Sequence, residues 1–179
     1  MLAGASHYSS HSKINYPGSE NIGTSPSLEP YKLKQDFIAQ FYELNGTIKP
    51  EYKKLSYSDG SEYVGQVLEG RHGRGVYNFK NGDTYLGFWK DDKFSGEGVY
   101  LFSNGDIYQG KFVEGRKHGR GVYKYKTGTM YDGEWSKDKK SGFGMHYYLK
   151  NEKYEGSWLN GDKHGKGTYY YSNGDKYIG

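Results

Sequence analysis

Hydrophobic and polar positions alternate along most of this chain with a period of two, and the alternation itself returns every 22–23 residues. Tyr63, Tyr85, Tyr108, Tyr131, Tyr154 and Tyr177 each open a stretch that begins Tyr-x-Gly, at spacings of 22, 23, 23, 23 and 23 residues, and those of Tyr85, Tyr108, Tyr131 and Tyr154 run Tyr-x-Gly-x-aromatic. A charged, Gly-containing segment follows, and then a stretch of the form His/Ser-Gly-x-Gly-x-aromatic. A fixed period of this size is the signature of stacked repeats rather than of one globular core.

Each repeat carries two strand-like pieces. In the second repeat, Tyr85-Leu86-Gly87-Phe88-Trp89 precedes Gly96-Glu97-Gly98-Val99-Tyr100-Leu101-Phe102. Side chains alternate faces along a strand, so Tyr85, Gly87 and Trp89 share one face, as do Gly96, Gly98, Tyr100 and Phe102. The parity recurs in Tyr108, Gly110, Gly119 and Gly121, in Tyr131, Gly133 and Trp135, and in Tyr154, Gly156 and Trp158. Rings alternating with glycines on one face predict rings lying over bare backbone, because glycine in a strand is kept where something approaches closely. Asn81-Gly82, Asn104-Gly105 and Asn173-Gly174, with Asp59-Gly60 and the weaker Thr127-Gly128, carry hairpin-turn chemistry between one repeat and the next. Consecutive hairpins predict an all-β fold: an elongated, single-layer antiparallel β-hairpin ribbon. The first repeat is one residue short before His72-Gly73, so its turn should be tighter.

The pattern changes near residue 50. All four prolines lie in the first 50 residues, whereas 23 of the 28 glycines lie from Gly65 onward. Residues 1–29 read as a flexible tail. Over 30–46, Leu33, Phe37, Phe41 and Leu44 recur at helical spacing, Pro30 suits a first turn, and Asn45-Gly46 supplies a stop. This short amphipathic helix is expected either to cap the open first edge of the array or to dock into a partner's groove. Residues 51–62 read as a degenerate leading half-repeat, followed by five repeats and the start of a sixth over 63–179.

The residues that repeat resemble the MORN repeat (membrane occupation and recognition nexus): Tyr-x-Gly-x-Trp/Phe, then Gly-x-x-His-Gly-x-Gly-x-Tyr, then Asn-Gly, over about 51–179. The resemblance implies the same single-layer ribbon. No stretch resembles the lipid kinase or lysine methyltransferase domains that MORN repeats accompany elsewhere. The chain thus resembles MORN-only scaffolds, notably those of cilia, flagella and their radial spoke heads. Other members lie at membrane junctions or are linked to acidic phospholipids.

Composition narrows the chemistry. Aromatic residues make up 18% and hydrophobic residues 34%, with Cys 0, so rings must carry the burial and no Cys-based metal site exists. With neither a signal segment nor a membrane-length apolar run, the sequence reads as a soluble, intracellular protein. His72, His118 and His164 are too widely spaced to share one metal ion, and Ser95 and Ser141 take their place in the intervening repeats. The Gly-rich strings lack the following helix that a phosphate loop needs. No cofactor and no enzyme activity are expected.

A net charge of +4 is mild. Arg116, Lys117, Arg120, Lys137, Lys139 and Lys140 cluster near two turns and are expected to line one edge of the ribbon, with Asp83, Asp106, Asp132 and Asp175 along the other. The basic edge is read as a protective charge row, as a dock for an acidic protein, or as a contact for acidic phospholipid. Nucleic acid is not expected, because the rings are committed to packing. The strand begun by Tyr177 leaves an edge that another chain, or further sequence, would cover; self-association is one expectation. The function expected is a structural scaffold of a cytoskeletal assembly such as an axoneme, with a peripheral membrane adaptor as the alternative.

Overall fold

The computed structural model describes residues 52–179; the expected tail and the helix bearing Leu33, Phe37, Phe41 and Leu44 lie outside the described residues. The strands are β1 (Tyr52–Ser56), β2 (Glu62–Leu68), β3 (Gly70–Asn78), β4 (Thr84–Lys90), β5 (Lys93–Leu101) and β6 (Ile107–Val113). They continue with β7 (Arg116–Lys124), β8 (Met130–Ser136), β9 (Lys139–Tyr147), β10 (Lys153–Leu159), β11 (Asp162–Tyr170) and β12 (Lys176–Ile178). All twelve form one sheet in strict chain order, each antiparallel to the last. One 3-10 turn, Leu149–Asn151, is the sole helical element among the described residues. Among the described residues the sheet is open and single-layered, as the repeat pattern predicts.

Register explains why the pattern works. Tyr faces an aromatic partner and Gly faces Gly across each hairpin: Tyr85 pairs with Tyr100 and Gly87 with Gly98, Tyr108 with Tyr123 and Gly110 with Gly121. The tyrosine ring then folds over its own glycine pair. A Cβ on Gly121 would sit 2.6 Å from Cζ of Tyr108, and one on Gly98 2.7 Å from Cε2 of Tyr85. No side chain larger than hydrogen fits there.

Two expectations about glycines and turns are corrected. Gly96 and Gly119 do not lie under the tyrosine rings. They adopt φ of +65° and +61° and form the bulge in their strands, where the register slips between Gly87 and Phe88 and between Gly110 and Phe112. Their requirement is for a left-handed backbone, not for space. The turns also exchange roles. At Asn81-Gly82 only the glycine has positive φ (+87°), with Gly82 N donating to Phe79 O and Phe79 N to Asp83 O. This is a type I turn closed by a glycine bulge. The two-residue turns with both φ positive fall instead in the charged segments, at Asp91-Asp92 (+50°, +64°) and Lys137-Asp138 (+49°, +71°). In the shortened first repeat Glu69 alone separates β2 from β3, the tighter connection its length requires.

A candidate interaction surface

The aromatic face is built from three rows that run along the ribbon. In the first, each repeat-opening tyrosine donates its hydroxyl to the backbone carbonyl three residues on: Tyr85 to Phe88 (2.9 Å), Tyr108 to Lys111 (3.0 Å), Tyr131 to Glu134 (2.9 Å). Burial of these phenols pushes their pKa values far above the ordinary range. Between successive tyrosines sits the aromatic residue that ends the Tyr-x-Gly-x-aromatic motif. Trp89 packs edge-to-face on Tyr63 and Tyr85 at 5.3 and 5.2 Å, and Phe112 on Tyr85 and Tyr108 at 5.1 Å each. Trp135 bridges Tyr108 and Tyr131, and Trp158 bridges Tyr131 and Tyr154, at 5.2–5.3 Å. The result is one unbroken edge-to-face ladder across five repeats. The indoles also donate backward, Trp89 to Gly75 O (3.2 Å), Trp135 to Gly121 O (2.9 Å) and Trp158 to Gly144 O (3.1 Å). Every indole therefore ties its own repeat to the one before.

The second row comprises Tyr77, Tyr100, Tyr123, His146 and Tyr169. Here an acid from the inter-repeat turn accepts from the phenol: Asp83 from Tyr100 and Asp106 from Tyr123 at 2.8 Å, Glu152 from Tyr169 at 2.7 Å. Asp83 Oδ1 also accepts from the Ser103 amide at 2.7 Å, and Asp106 Oδ1 from the Lys126 amide at 2.8 Å, stapling one turn to the next. Burial works against the Asp83 carboxylate, but hydrogen bonds from Ser103, Tyr100 and Asn81 outweigh it and hold its pKa below the usual carboxylate range. The expected acidic edge is thus corrected: Asp83 is buried and structural, and Asp132 lies mid-strand on the opposite face, paired with Val122 and Met145.

The third row is cationic, and it redraws the expected basic edge. Positions 71, 94, 117, 140 and 163 are equivalent, one per repeat. Lys117 Nζ lies 4.8 Å from the Trp135 ring and 5.0 Å from Tyr123; Lys140 Nζ lies 4.8 Å from both Trp158 and Tyr131. Lys163 sits 4.7 Å over Tyr154 and 4.9 Å over Tyr169, and the Arg71 guanidinium 4.6 Å over Trp89. Phe94 fills the place in the second repeat, stacked on Tyr85 at 3.9 Å. Burial lowers the pKa of Lys117. Burial, with repulsion from Lys117 and Lys163, brings Lys140 down to about 8. Lys140 Nζ also lies 3.1 Å from His146 Nδ1, and burial together with Lys140 depresses His146 to about 4. The imidazole is therefore neutral near pH 7 and accepts from the ammonium.

The six candidate basic residues consequently separate. Lys117 and Lys140 lie over the rings. Arg120 points to the opposite face, 3.6 Å from Asp132. Arg116, Lys137 and Lys139 remain exposed at the turns. The signal that the sequence offered was parity: Lys117 pairs with Phe112 and Lys140 with Trp135, placing them on the ring face. Of the histidines, His118 Nδ1 accepts from the Gly119 amide at 2.8 Å and His72 stands 3.9 Å from Asp91. Among the described residues no three His, Asp or Glu side chains converge as a metal site, and no helix is long and apolar enough to cross a membrane.

The MORN repeat model matches residues 63–84, 85–107, 108–130, 131–148 and 154–176. This chain belongs to the MORN-repeat family. MORN repeats typically mediate protein or membrane interactions, and the family is not known as enzymatic. No curated protein matches the chain by sequence. Among solved structures, the chain is similar to the TCP10 domain of Danio rerio CPAP in complex with a STIL peptide (8% identity, TM-score 0.37, 74% of this chain and 66% of that one). It is also similar to the Drosophila melanogaster SAS-4 TCP domain in complex with a proline-rich motif of Ana2 (13% identity, TM-score 0.33, 74% and 96%). The chain thus spans just under two thirds of the first and nearly all of the second. At TM-scores below 0.5 these likenesses carry no argument about partners.

Proposed function

We propose that this MORN ribbon is a non-catalytic scaffold that holds protein partners within a cytoskeletal assembly, with a ciliary or flagellar axoneme as its setting. The observation that carries the reading is the aromatic face with its cation row. Rings over glycine make a stiff, extended surface that no second layer of described residues covers. Lys117 and Lys140, half-buried, and the exposed Lys163 follow one another at one-repeat intervals and give it a linear charge pattern over β7–β11. Adjacent cations stand two strand spacings apart, roughly 10 Å, so an extended acidic segment of a partner can meet several in succession.

The membrane alternative draws on the remaining exposed cations. Recognition of anionic lipid takes clusters of about four to eight Lys or Arg. Withdrawal of Lys117, Lys140 and Arg120 leaves Arg116, Lys137 and Lys139 of the six candidates, divided between two turns, and Lys93 at a third turn is paired with Glu114, so no dense cluster forms and protein is favoured over lipid.

The test is fractionation of tagged full-length chain in ciliated cells, alongside flotation with phosphatidylserine vesicles at physiological salt. Retention in detergent-extracted axonemes, weakened by joint substitution of Lys117, Lys140 and Lys163 with Gln, is the expected result. Flotation abolished by Arg116→Glu, Lys137→Glu and Lys139→Glu, with no axonemal retention, would replace the scaffold by the membrane adaptor.

A further inference from the structure

Positions 71, 94, 117 and 140 of the third row share one backbone link to the charged turn of the next repeat. An amide of that turn donates to the row residue's carbonyl: Asp92 to Arg71 (3.1 Å), Gly115 to Phe94 (3.0 Å), Asp138 to Lys117 (3.0 Å) and Gly161 to Lys140 (2.9 Å). The identity of the donating residue decides whether the cation has an acid beside it. Asp92 pairs with the Arg71 guanidinium at 2.9 Å, and the charge of Asp138 supports that of Lys117. At Lys140 the place is held by Gly161, and no carboxylate pairs with the ammonium among the described residues. Its charged neighbours are instead two cations, Lys117 and Lys163. His146 Nδ1 stands 3.1 Å from its Nζ, where the other repeats place Tyr123 and Tyr169, whose hydroxyls are committed to Asp106 and Glu152. The Trp158 and Tyr131 rings at 4.8 Å and the Tyr125 ring at 5.6 Å complete the surround and leave the side chain half-buried.

We propose that Lys140 and His146 form a modification site, at which the Lys140 ε-amine takes an acyl group from an acyl thioester. The surround favours the neutral amine, which is the form that attacks. Burial among rings and two flanking cations destabilise the ammonium, no acid restores it, and His146 Nδ1 accepts its hydrogen bond. Desolvation and neighbouring cations are what make a lysine a nucleophile near neutral pH, and Lys140, brought down to about 8, falls in that range. In the step, the amine lone pair forms the N–C bond at the thioester carbonyl, and the C–S bond breaks with its electron pair on sulfur. The surplus proton on nitrogen passes through His146 Nδ1 to the thiolate, leaving an amide and a free thiol. The amide carries no charge, so the ring face loses the cation between Lys117 and Lys163. That this loss interrupts recognition of an acidic partner rests on the scaffold reading above; the acylation itself does not.

The test is incubation of the full chain with acetyl-coenzyme A, with the acetylation rate of each lysine read by fragment mass spectrometry. Lys137 and Lys139, exposed on the same hairpin, are the internal references. Acetylation of Lys140 at least about tenfold faster than of either is expected. Its rate should level off above about pH 8 while theirs keep rising. Two variants separate a paired site from a lysine that is merely half-buried. His146→Tyr restores the residue of the other repeats and removes the proton acceptor. Gly161→Asp returns the acid that stands at positions 92 and 138. Each should slow Lys140 by about fivefold and leave Lys139 unchanged. Acetylation of Lys140 no faster than of Lys139 in the native chain, or an advantage that survives either substitution intact, would overturn the proposal. The readout is on the free chain, so its failure would leave the scaffold reading standing, and absence of axonemal retention would leave the site standing.

Discussion

Single positions decide most of the chemistry of this ribbon, and His146 shows how. It replaces a tyrosine of the second row, and the equivalent of Asp83 and Asp106 beside it is Thr129, so no acid is present to hold it. Its pKa falls to about 4, below the ordinary value of 6.5. Between those values the unfolded chain binds more protons than the folded one, so the group's contribution is complete above about pH 6.5 and is lost as pH falls through 4. His146→Tyr, which restores the residue of the other repeats, should remove that acid sensitivity; urea midpoints measured at pH 7 and pH 4.5 check it. A wild-type difference that survives the substitution would assign the sensitivity elsewhere. The glycines set a second limit at this scale. Gly121→Ala drives a methyl into the Tyr108 ring and should cost about 1–3 kcal/mol, as overpacking does. Gly115→Ala should be milder, since a Cβ at Gly115 meets nothing within 4 Å and only its φ of +79° resists.

At the level of the hairpin, the turn in each charged segment after the first needs two left-handed residues, and only some repeats provide good ones. Asn160-Gly161, with φ of +55° and +102°, is the preferred pair, whereas Glu114 holds +53° beside Gly115. Glu114 also makes an exposed ion pair with Lys93 at 2.6 Å. Exposed pairs contribute little, roughly 0–1 kcal/mol, so relief of the turn should win. Glu114→Asn is expected to raise the denaturation midpoint by the equivalent of about 0.5 kcal/mol, an outcome read directly from urea titration; a fall would show the ion pair to be the stronger term. Strand parity, the ring-over-glycine code and the meander were readable because a period of two inside a period of 23 leaves little freedom. The turn types were not, because Asn81-Gly82 satisfies both the two-residue turn and the bulged one, and only the register chooses. Nor was the fate of Lys117 and Lys140: long cationic side chains placed near a turn in sequence bend over whatever ring face their strand parity presents.

Along its whole length the ribbon is a one-dimensional stack whose cooperativity depends on the ladder that joins each repeat to the next. Every rung is a ring shared between two tyrosines, so an interior tyrosine holds two junctions and a terminal one holds fewer. Tyr131 touches Trp135 and Trp158, while Tyr154 touches Trp158 and has no later indole beyond it among the described residues. The neighbourhood of Tyr131 also carries local costs: the adjoining Leu149–Asn151 turn places Lys150 and Asn151 at φ +61° without glycine, and His146 lacks an acid partner. Tyr131→Ala should therefore cost about 3–5 kcal/mol and divide the ribbon, so that unfolding separates into two transitions. Tyr154→Ala should remove similar burial yet fray only the far end, leaving the rest in one transition. Hydrogen exchange resolved by strand distinguishes them: in the first variant β8–β12 should open while β2–β6 keep their protection, and in the second the opening should begin at β10. If both variants shifted one common transition by the same amount, the ladder would not be what couples the repeats. The backbone ladder of the sheet would then carry the coupling by itself.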